Sequence, residues 1–424
     1  MVAGFAAILL WARQPGVVIL VFAMQSLIYR ELVIIALVSA KERDMPGFSW
    51  FYAYWFAVCA YFMYTKTLQV HLVAALAGAA ASSVAAGGTP MVEPDDPGYL
   101  LNAAEGVGGA WGEGGAVAGS NVAASAAVAA AAWGGSGLLG RAAARGASVV
   151  VTHYVPIAFV LYMIGFVAFV FSLRRRRNLR YQFAQFAYCH IALAVVVGQS
   201  TFLVANAYQG LLWFVLPTAL VIVNDSAAYA TGFFCGRTPL IRISPKKTVE
   251  GFIGGAAATL VIAVAATGAL LALPAATSGI RALMLCPVER GLGAAVHRCD
   301  TSGGLYRVSP LSDFLPHAWA ASLPVRVSRL PVAPLQLHSL ALAAFASAVA
   351  PFGGFFASGF KRAFRIKDFS DVIPGHGGVT DRMDCQIVMG AFAYVYVHYL
   401  LKLGLGFQCV CAATCGMCVV GAAL

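Results

Sequence analysis

Long apolar runs dominate this chain and leave it few possible folds. Stretches near residues 16–39, 49–66, 149–173, 183–205, 211–234, 251–274, 337–360 and 386–405 are each apolar over about the length a helix needs to cross a bilayer. In lipid every backbone amide must be paired inside the chain, and for runs of this length that means helices. The residues are 60% hydrophobic and 11% charged, whereas a soluble domain carries about 25% charged residues. The expected fold is therefore all-α: a polytopic integral membrane protein with about 8–10 transmembrane helices. The upper figure includes a short segment before the first run and an apolar one at 408–424. Residues 3–39 read as membrane helices, the first broken near Gln14–Pro15, without the basic n-region or cleavage site of a removable signal peptide.

The net charge of +11 is spent in a few places. KERD (41–44), RRRRNLR (174–180), GRTPLIRISPKK (236–247) and KRAFRIK (361–367) all fall on one side when the crossings are counted, and the positive-inside rule makes that side cytoplasmic. Nucleic acid is excluded as a partner by the apolar runs; the basic loops suit a membrane surface or phosphorylated ligands. The chain divides into N-terminal membrane helices (1–66), an Ala/Gly-rich low-complexity insertion (67–148) expected on the lumenal face, a membrane domain (149–405) and a Cys-rich apolar tail (406–424). In the tail, Cys409, Cys411, Cys415 and Cys418 match no common zinc spacing, so a membrane-embedded tail is the reading. Cys286 and Cys299, in the second lumenal loop, are compatible with a disulfide or with free thiols.

Against this background one stretch stands out. KRAFRIKDFSDVIPGHGGVTDRMD (361–384) places nine of the chain's Asp, Glu, Lys and Arg residues, plus His376, between two apolar runs. A basic juxtamembrane loop explains KRAFRIK. It does not explain Asp368, Asp371, Asp381 and Asp384. PGHGG forms a Gly-rich turn whose amides suit an anion. Asp381 and Asp384 lie three apart and share a helix face. Two carboxylates beside such a turn and several cations suit Mg²⁺ carrying a polyphosphate.

Two further segments carry related chemistry. Asp225 lies inside an apolar run, where an ionisable group is costly and usually functional. ISPKKTVEG (243–251) reads as a turn into the next helix, with Lys246, Lys247 and Thr248 placed for phosphate at its N-terminus. It is not a Walker A loop. Glu31 in IYREL has two accounts, a near-membrane functional acid or a partner for Arg30 or Lys41.

These residues resemble a known signature. Ser358-Gly-Phe-Lys361-Arg362, then Lys367-Asp368, then Pro374-Gly-His376-Gly377-Gly378-Val-Thr-Asp381-Arg382-Met-Asp384 is similar to the full motif of the phosphatidate cytidylyltransferases, also called CDP-diacylglycerol synthases. NDSAAYATGFFCGRTPLIRISPKKTVEGFIGG (224–255), PFGGFFASGF (351–360) and DRMDCQ (381–386) resemble the eukaryotic branch. The sequence departs from the family in its long Ala/Gly insertion, in beginning without a soluble tail, which a missing upstream segment would also explain, and in Gly354, where bacterial members often carry an acid.

The resemblance implies transfer of CMP from CTP to phosphatidic acid, giving CDP-diacylglycerol and pyrophosphate. It implies Mg²⁺ on Asp381 and Asp384, with Asp368 and Asp225 as further candidates. Lys361, Arg362, Lys367 and Arg382 would neutralise phosphates. His376, Gly377 and Gly378 would hold CTP phosphate or the leaving group, and Lys246, Lys247 and Thr248 the other anion. On this reading Asp381→Asn ends turnover and spares membrane insertion. The implied partners are CTP, phosphatidic acid and the bilayer, with a homodimer allowed for. The implied location is the endoplasmic reticulum, with the motifs facing the cytoplasm. Three rivals remain: a transporter, which needs no dense Asp/Lys/His loop; a CTP-dependent polyprenol kinase, which would release CDP; and a basic lipid-binding scaffold, which would tolerate loss of the carboxylates.

Overall fold

The computed structural model describes residues 13–42, 49–65, 149–151, 153–173, 179–273, 278–285, 304–314, 322, 324–372 and 377–400. His376, the 67–148 insertion, Arg174–Arg177, Cys286, Cys299 and the apolar tail lie outside the described residues, as does the short segment before the first long helix.

The described residues are almost entirely helical, as the apolar runs require. Six helical stretches are long and apolar enough to cross a membrane: Pro15–Leu37, Tyr154–Ser172, Leu179–Tyr208, Leu212–Cys235, Val249–Leu271 and Pro334–Ala363. These coincide with six of the eight runs. The remaining two are also helical, at 49–65 and from Thr380 to Leu400.

The described residues group into two compact units. One is drawn from residues 36–193 and contains helix α2 (49–65), α3 (Tyr154–Ser172) and α4 (Leu179–Leu193). Aromatic side chains fill its centre. Trp55 meets Tyr162 and His190 edge-on, each at 4.7 Å between centroids, and Phe169 stacks on Phe186 at 4.5 Å. The Tyr52 hydroxyl donates to Gln185 Oε1 and that of Tyr54 to the Leu161 carbonyl, so the phenols keep partners inside an apolar bundle.

The other unit holds most of helix α1 (Arg13–Glu42) together with α5 (Gln199–Tyr208), α6 (Leu212–Cys235), α7 (Val249–Leu271), α8 (Ser278–Leu285), the single turn α9 (Val325–Ser328), α10 (Pro334–Ala348), α11 (Pro351–Ala363) and α12 (Thr380–Val395). A continuous core joins Leu216 and Leu220 of α6, Ala263 of α7, Leu342 and Ala346 of α10, and Met389 and Ala393 of α12.

Small residues set the closest approach. A Cβ on Gly251 would stand 2.6 Å from the Ala228 carbonyl oxygen, and one on Gly255 3.0 Å from that of Asn224. The Gly251-x-x-x-Gly255 spacing therefore brings α7 onto α6, the usual device where lipid supplies no hydrophobic drive. Buried polar ties add to it. Asn206 Nδ2 donates to the Gly390 carbonyl at 3.0 Å, and Gln386 Nε2 to that of Thr218 at 3.0 Å, fastening α12 to α5 and α6.

One element departs from expectation. The 243–251 segment is not a simple turn into a helix. Ser244–Thr248 forms a strand, β2, paired antiparallel with β1 (Pro239–Ile241). Glu250 explains the closure: its carboxylate accepts from Arg237 N at 3.1 Å and Thr238 N at 3.2 Å, fixing the hairpin against the first turn of α7.

Candidate active site

The α6–α7 pair positions the first half of the site. Asp225 sits near the middle of α6, and the β1–β2 hairpin returns Lys247 towards it, within electrostatic reach. Thr248 is the N-cap of α7; its hydroxyl accepts from Gly251 N at 3.2 Å. This commitment fixes the residue before it, so Lys247 points at the carboxylates while Lys246 is exposed. Lys247 Nζ also lies over the Phe355 ring at 4.9 Å, a cation–π contact that shields its stem.

The second half begins where α11 ends. Ile366 N donates to the Lys361 carbonyl at 3.0 Å and Arg365 N to that of Arg362 at 3.2 Å. This double closure is a Schellman motif. Its left-handed position, normally glycine, is Arg365 with φ 55°. The chain reverses there, leaving Lys361 and Arg362 on the last turn of α11 and starting the loop that carries Lys367 and Asp368.

The loop closes on the first turn of α12. Asp381 Oδ1 accepts from Lys361 Nζ at 2.6 Å, and Oδ2 from Phe369 N at 3.0 Å and Gly378 N at 3.1 Å. Both oxygens thus hold the loop to the helices on either side of it. Asp368 and Asp381 flank Gly377, whose φ of +78° favours glycine: a Cβ there would sit 3.4 Å from Asp368 Oδ1 and 3.3 Å from Asp381 Oδ2. Glu31 also reaches this turn. It is 1% exposed and accepts from Val379 N, Thr380 N, the Thr380 hydroxyl and the Ser370 hydroxyl.

Asp384, one turn further along α12, faces the α6 side. Its Oδ1 accepts from Cys385 N at 2.7 Å. A Cβ on Gly354 would lie 3.4 Å from its Oδ2 and 3.5 Å from Lys247 Nζ, so a side chain at 354 would enter this cluster. Burial pushes the Asp384 carboxyl up; the Cys385 N–H and Lys247 oppose the rise, and Asp225 adds to it. Asp225 in turn feels Lys247 and Arg382.

The expected residues therefore divide into two adjoining groups. Asp225, Lys247, Arg382 and Asp384 form one. Lys361, Asp368, Asp381, Gly377 and Gly378 form the other. Arg362, Lys367 and Lys246 are exposed and enter no described ion pair. Glu31 and Ser370 belong to the site as well. The sequence marks Glu31 as an acid placed mid-run in α1, but its distant partners are invisible there.

Among the described residues no group of three or more His, Cys, Asp or Glu side chains converges. They place Asp384 within electrostatic reach of Asp225, whose repulsion a cation would relieve. Mg²⁺ keeps several waters and takes one or two carboxylates plus substrate phosphates, so this pair fits it.

Apolar spanning helices around clustered carboxylates and cations define a polytopic membrane protein with a charged site. The chain belongs to the cytidylyltransferase family, whose model matches residues 119–400. It is 47% identical over 256 residues to Phosphatidate cytidylyltransferase 1 of Arabidopsis thaliana, covering 60% of this chain and 57% of that protein. It is 44% identical over 257 residues to Phosphatidate cytidylyltransferase of Caenorhabditis elegans, covering 60% and 52%. Against Phosphatidate cytidylyltransferase 1 of Homo sapiens it is 46% identical over 248 residues, covering 58% and 51%. The chain thus spans about half the length of the curated relatives it matches.

Proposed function

We propose that this protein transfers CMP from CTP to phosphatidic acid, giving CDP-diacylglycerol and pyrophosphate. The observation that carries the reading is the Asp225–Asp384 pair beside Lys247, next to a signature loop closed by Asp381. The names of its relatives supply the substrates. The phosphate oxygen of phosphatidic acid forms a bond to the α-phosphorus of CTP, and the bond from that phosphorus to the bridging oxygen of pyrophosphate breaks. The nucleophile is already anionic at neutral pH, so no general base is required. The difficulty is to bring two anions together and to stabilise the charge on the leaving group.

Asp384 and Asp225 would hold Mg²⁺, which when bound neutralises phosphate charge. Asp381 lies one turn from Asp384 and holds Lys361 and two loop amides, so it orients the second group around the leaving phosphates. Lys247, over the Phe355 ring and within electrostatic reach of both carboxylates, would bind a non-bridging phosphate oxygen. Arg382, Arg362 and Lys367 supply further positive charge, with Gly377 as an amide donor, Gly378 N being held by Asp381, and His376 close by in sequence. Exposed Tyr229, Phe233 and Phe356 offer apolar surface for the acyl chains. The membrane would be the endoplasmic reticulum, with these motifs on its cytoplasmic face.

The test is turnover by detergent-purified protein with phosphatidic acid, Mg²⁺ and CTP labelled on its α-phosphate. Label in the lipid fraction with release of pyrophosphate is expected, abolished by Asp384→Asn and by chelation, and restored by added Mg²⁺. Label that stays in water, or transfer of the γ-phosphate to a polyprenol, would overturn the reading.

A further inference from the structure

We infer that Glu31 is a positioning residue for the transfer reaction, setting the start of α12 and the closure of the signature loop. The inference rests on the reaction proposed above. A carboxylate inside an apolar helix is expensive to bury unless its oxygens are fully paired. Glu31 is 1% exposed, and each of its oxygens receives one amide and one hydroxyl. Oε1 takes Val379 N at 2.8 Å and the Ser370 hydroxyl; Oε2 takes Thr380 N at 2.8 Å and the Thr380 hydroxyl at 2.6 Å.

The need for it is local. The N-cap position of α12 is Val379, which has no side-chain oxygen to offer the first amides. A carboxylate from α1 does this work instead, with its negative charge at the positive end of the helix. Ser370 precedes the Gly-rich turn, and Val379 and Thr380 follow it, so Glu31 joins the two ends of the loop. Asp381 bridges the same two segments through Phe369 N and Gly378 N. Losing the Glu31 bridge leaves one of two carboxylate staples, and the turn bearing Asp381 and Asp384 loses its fixed register.

Gly378 makes the contact possible. A Cβ there would stand 2.9 Å and 3.0 Å from the two Glu31 oxygens. The absence of a side chain at 378 is thus required by the carboxylate behind the turn as well as by any phosphate in front of it.

Glu31→Gln preserves shape but puts an NH₂ group where one oxygen faced a backbone N–H. We expect kcat/KM for CTP to fall about 10–100-fold, the range typical of residues that orient ligand-bearing groups. The Mg²⁺ concentration for half-maximal rate should rise, with Glu31→Asp partly restoring both. Hydrogen exchange on the full-length protein in detergent gives a readout independent of turnover. The Val379 and Thr380 amides should exchange faster in Glu31→Gln, while those of Met389–Ala393 in the same helix stay unchanged. Wild-type kcat/KM and Mg²⁺ dependence in Glu31→Gln would overturn the inference, as would uniformly faster exchange along α12. Absence of label transfer by the wild type would sink the proposed reaction, yet the exchange experiment would still decide whether Glu31 holds the turn. If Glu31→Gln is not recovered from membranes, Thr380→Val removes only one hydroxyl. It should lower kcat/KM several-fold, and an unchanged value would count against the role.

Discussion

Asp381→Asn offers the sharpest test of how the loop is held. Asp381 accepts from Lys361 Nζ at 2.6 Å, Phe369 N at 3.0 Å and Gly378 N at 3.1 Å. Asparagine has one accepting oxygen and an amide that only donates, so at least one of the three donors must face another donor. A hydrogen bond to a charged group contributes about 1.5–3 kcal/mol. The Lys361 side chain is 20% exposed, and water recovers part of the loss, so the lower part of that range applies. A cost of about 1.5–2 kcal/mol is about 10–30-fold in the closed-loop population, and the same factor is expected in kcat/KM at saturating Mg²⁺. This is milder than the complete loss expected from a metal-ligand role alone. Lys361→Ala breaks the same ion pair from the other side. If the two residues act as one anchor, the double variant falls no further than the worse single variant, giving a coupling of about 1–2 kcal/mol. The label-transfer assay on the four proteins measures this directly. Strictly additive losses, or a fully active Asp381→Asn, would refute the anchoring argument.

Other perturbations probe neighbouring contacts. Gly378→Ala should reduce activity by tenfold or more, because its Cβ meets the Glu31 oxygens and Ser370 N at 2.9–3.0 Å; steady-state kinetics in detergent would read it. Gly251→Ala puts a Cβ 2.6 Å from the Ala228 carbonyl oxygen, forces α7 from α6, and should lower both turnover and the thermal midpoint. Arg365→Gly relieves a left-handed conformation costing about 1–2 kcal/mol and should raise the thermal midpoint. If turnover falls as stability rises, the Arg365 side chain contributes to anion binding.

How much was legible follows from how local each feature is. Spanning helices are encoded by runs of apolar residues, since each helix pairs its own backbone and needs only length and hydropathy to be recognised. The signature loop was legible for a similar reason: its charges and glycines lie together in the chain. Lys247 and Thr248 stood out in the sequence as candidates, but the hairpin that aims one and the capping bond that occupies the other depend on Glu250 and Gly251 packing against α6. Glu31 remained ambiguous because an acid in an apolar helix announces only its cost, never its partner.

The sequence by itself determined an all-α membrane protein and one stretch of dense charge, because apolar length and clustered charge are properties of neighbours in the chain. Only the tertiary structure decided which partners each carboxylate meets. It set Asp225 within electrostatic reach of Asp384 and Lys247, committed Asp381 to Lys361 and the loop amides, and brought Glu31 to the start of α12. Electrostatic pairing depends on distance in space, and helices far apart in the chain settle that distance only when they pack.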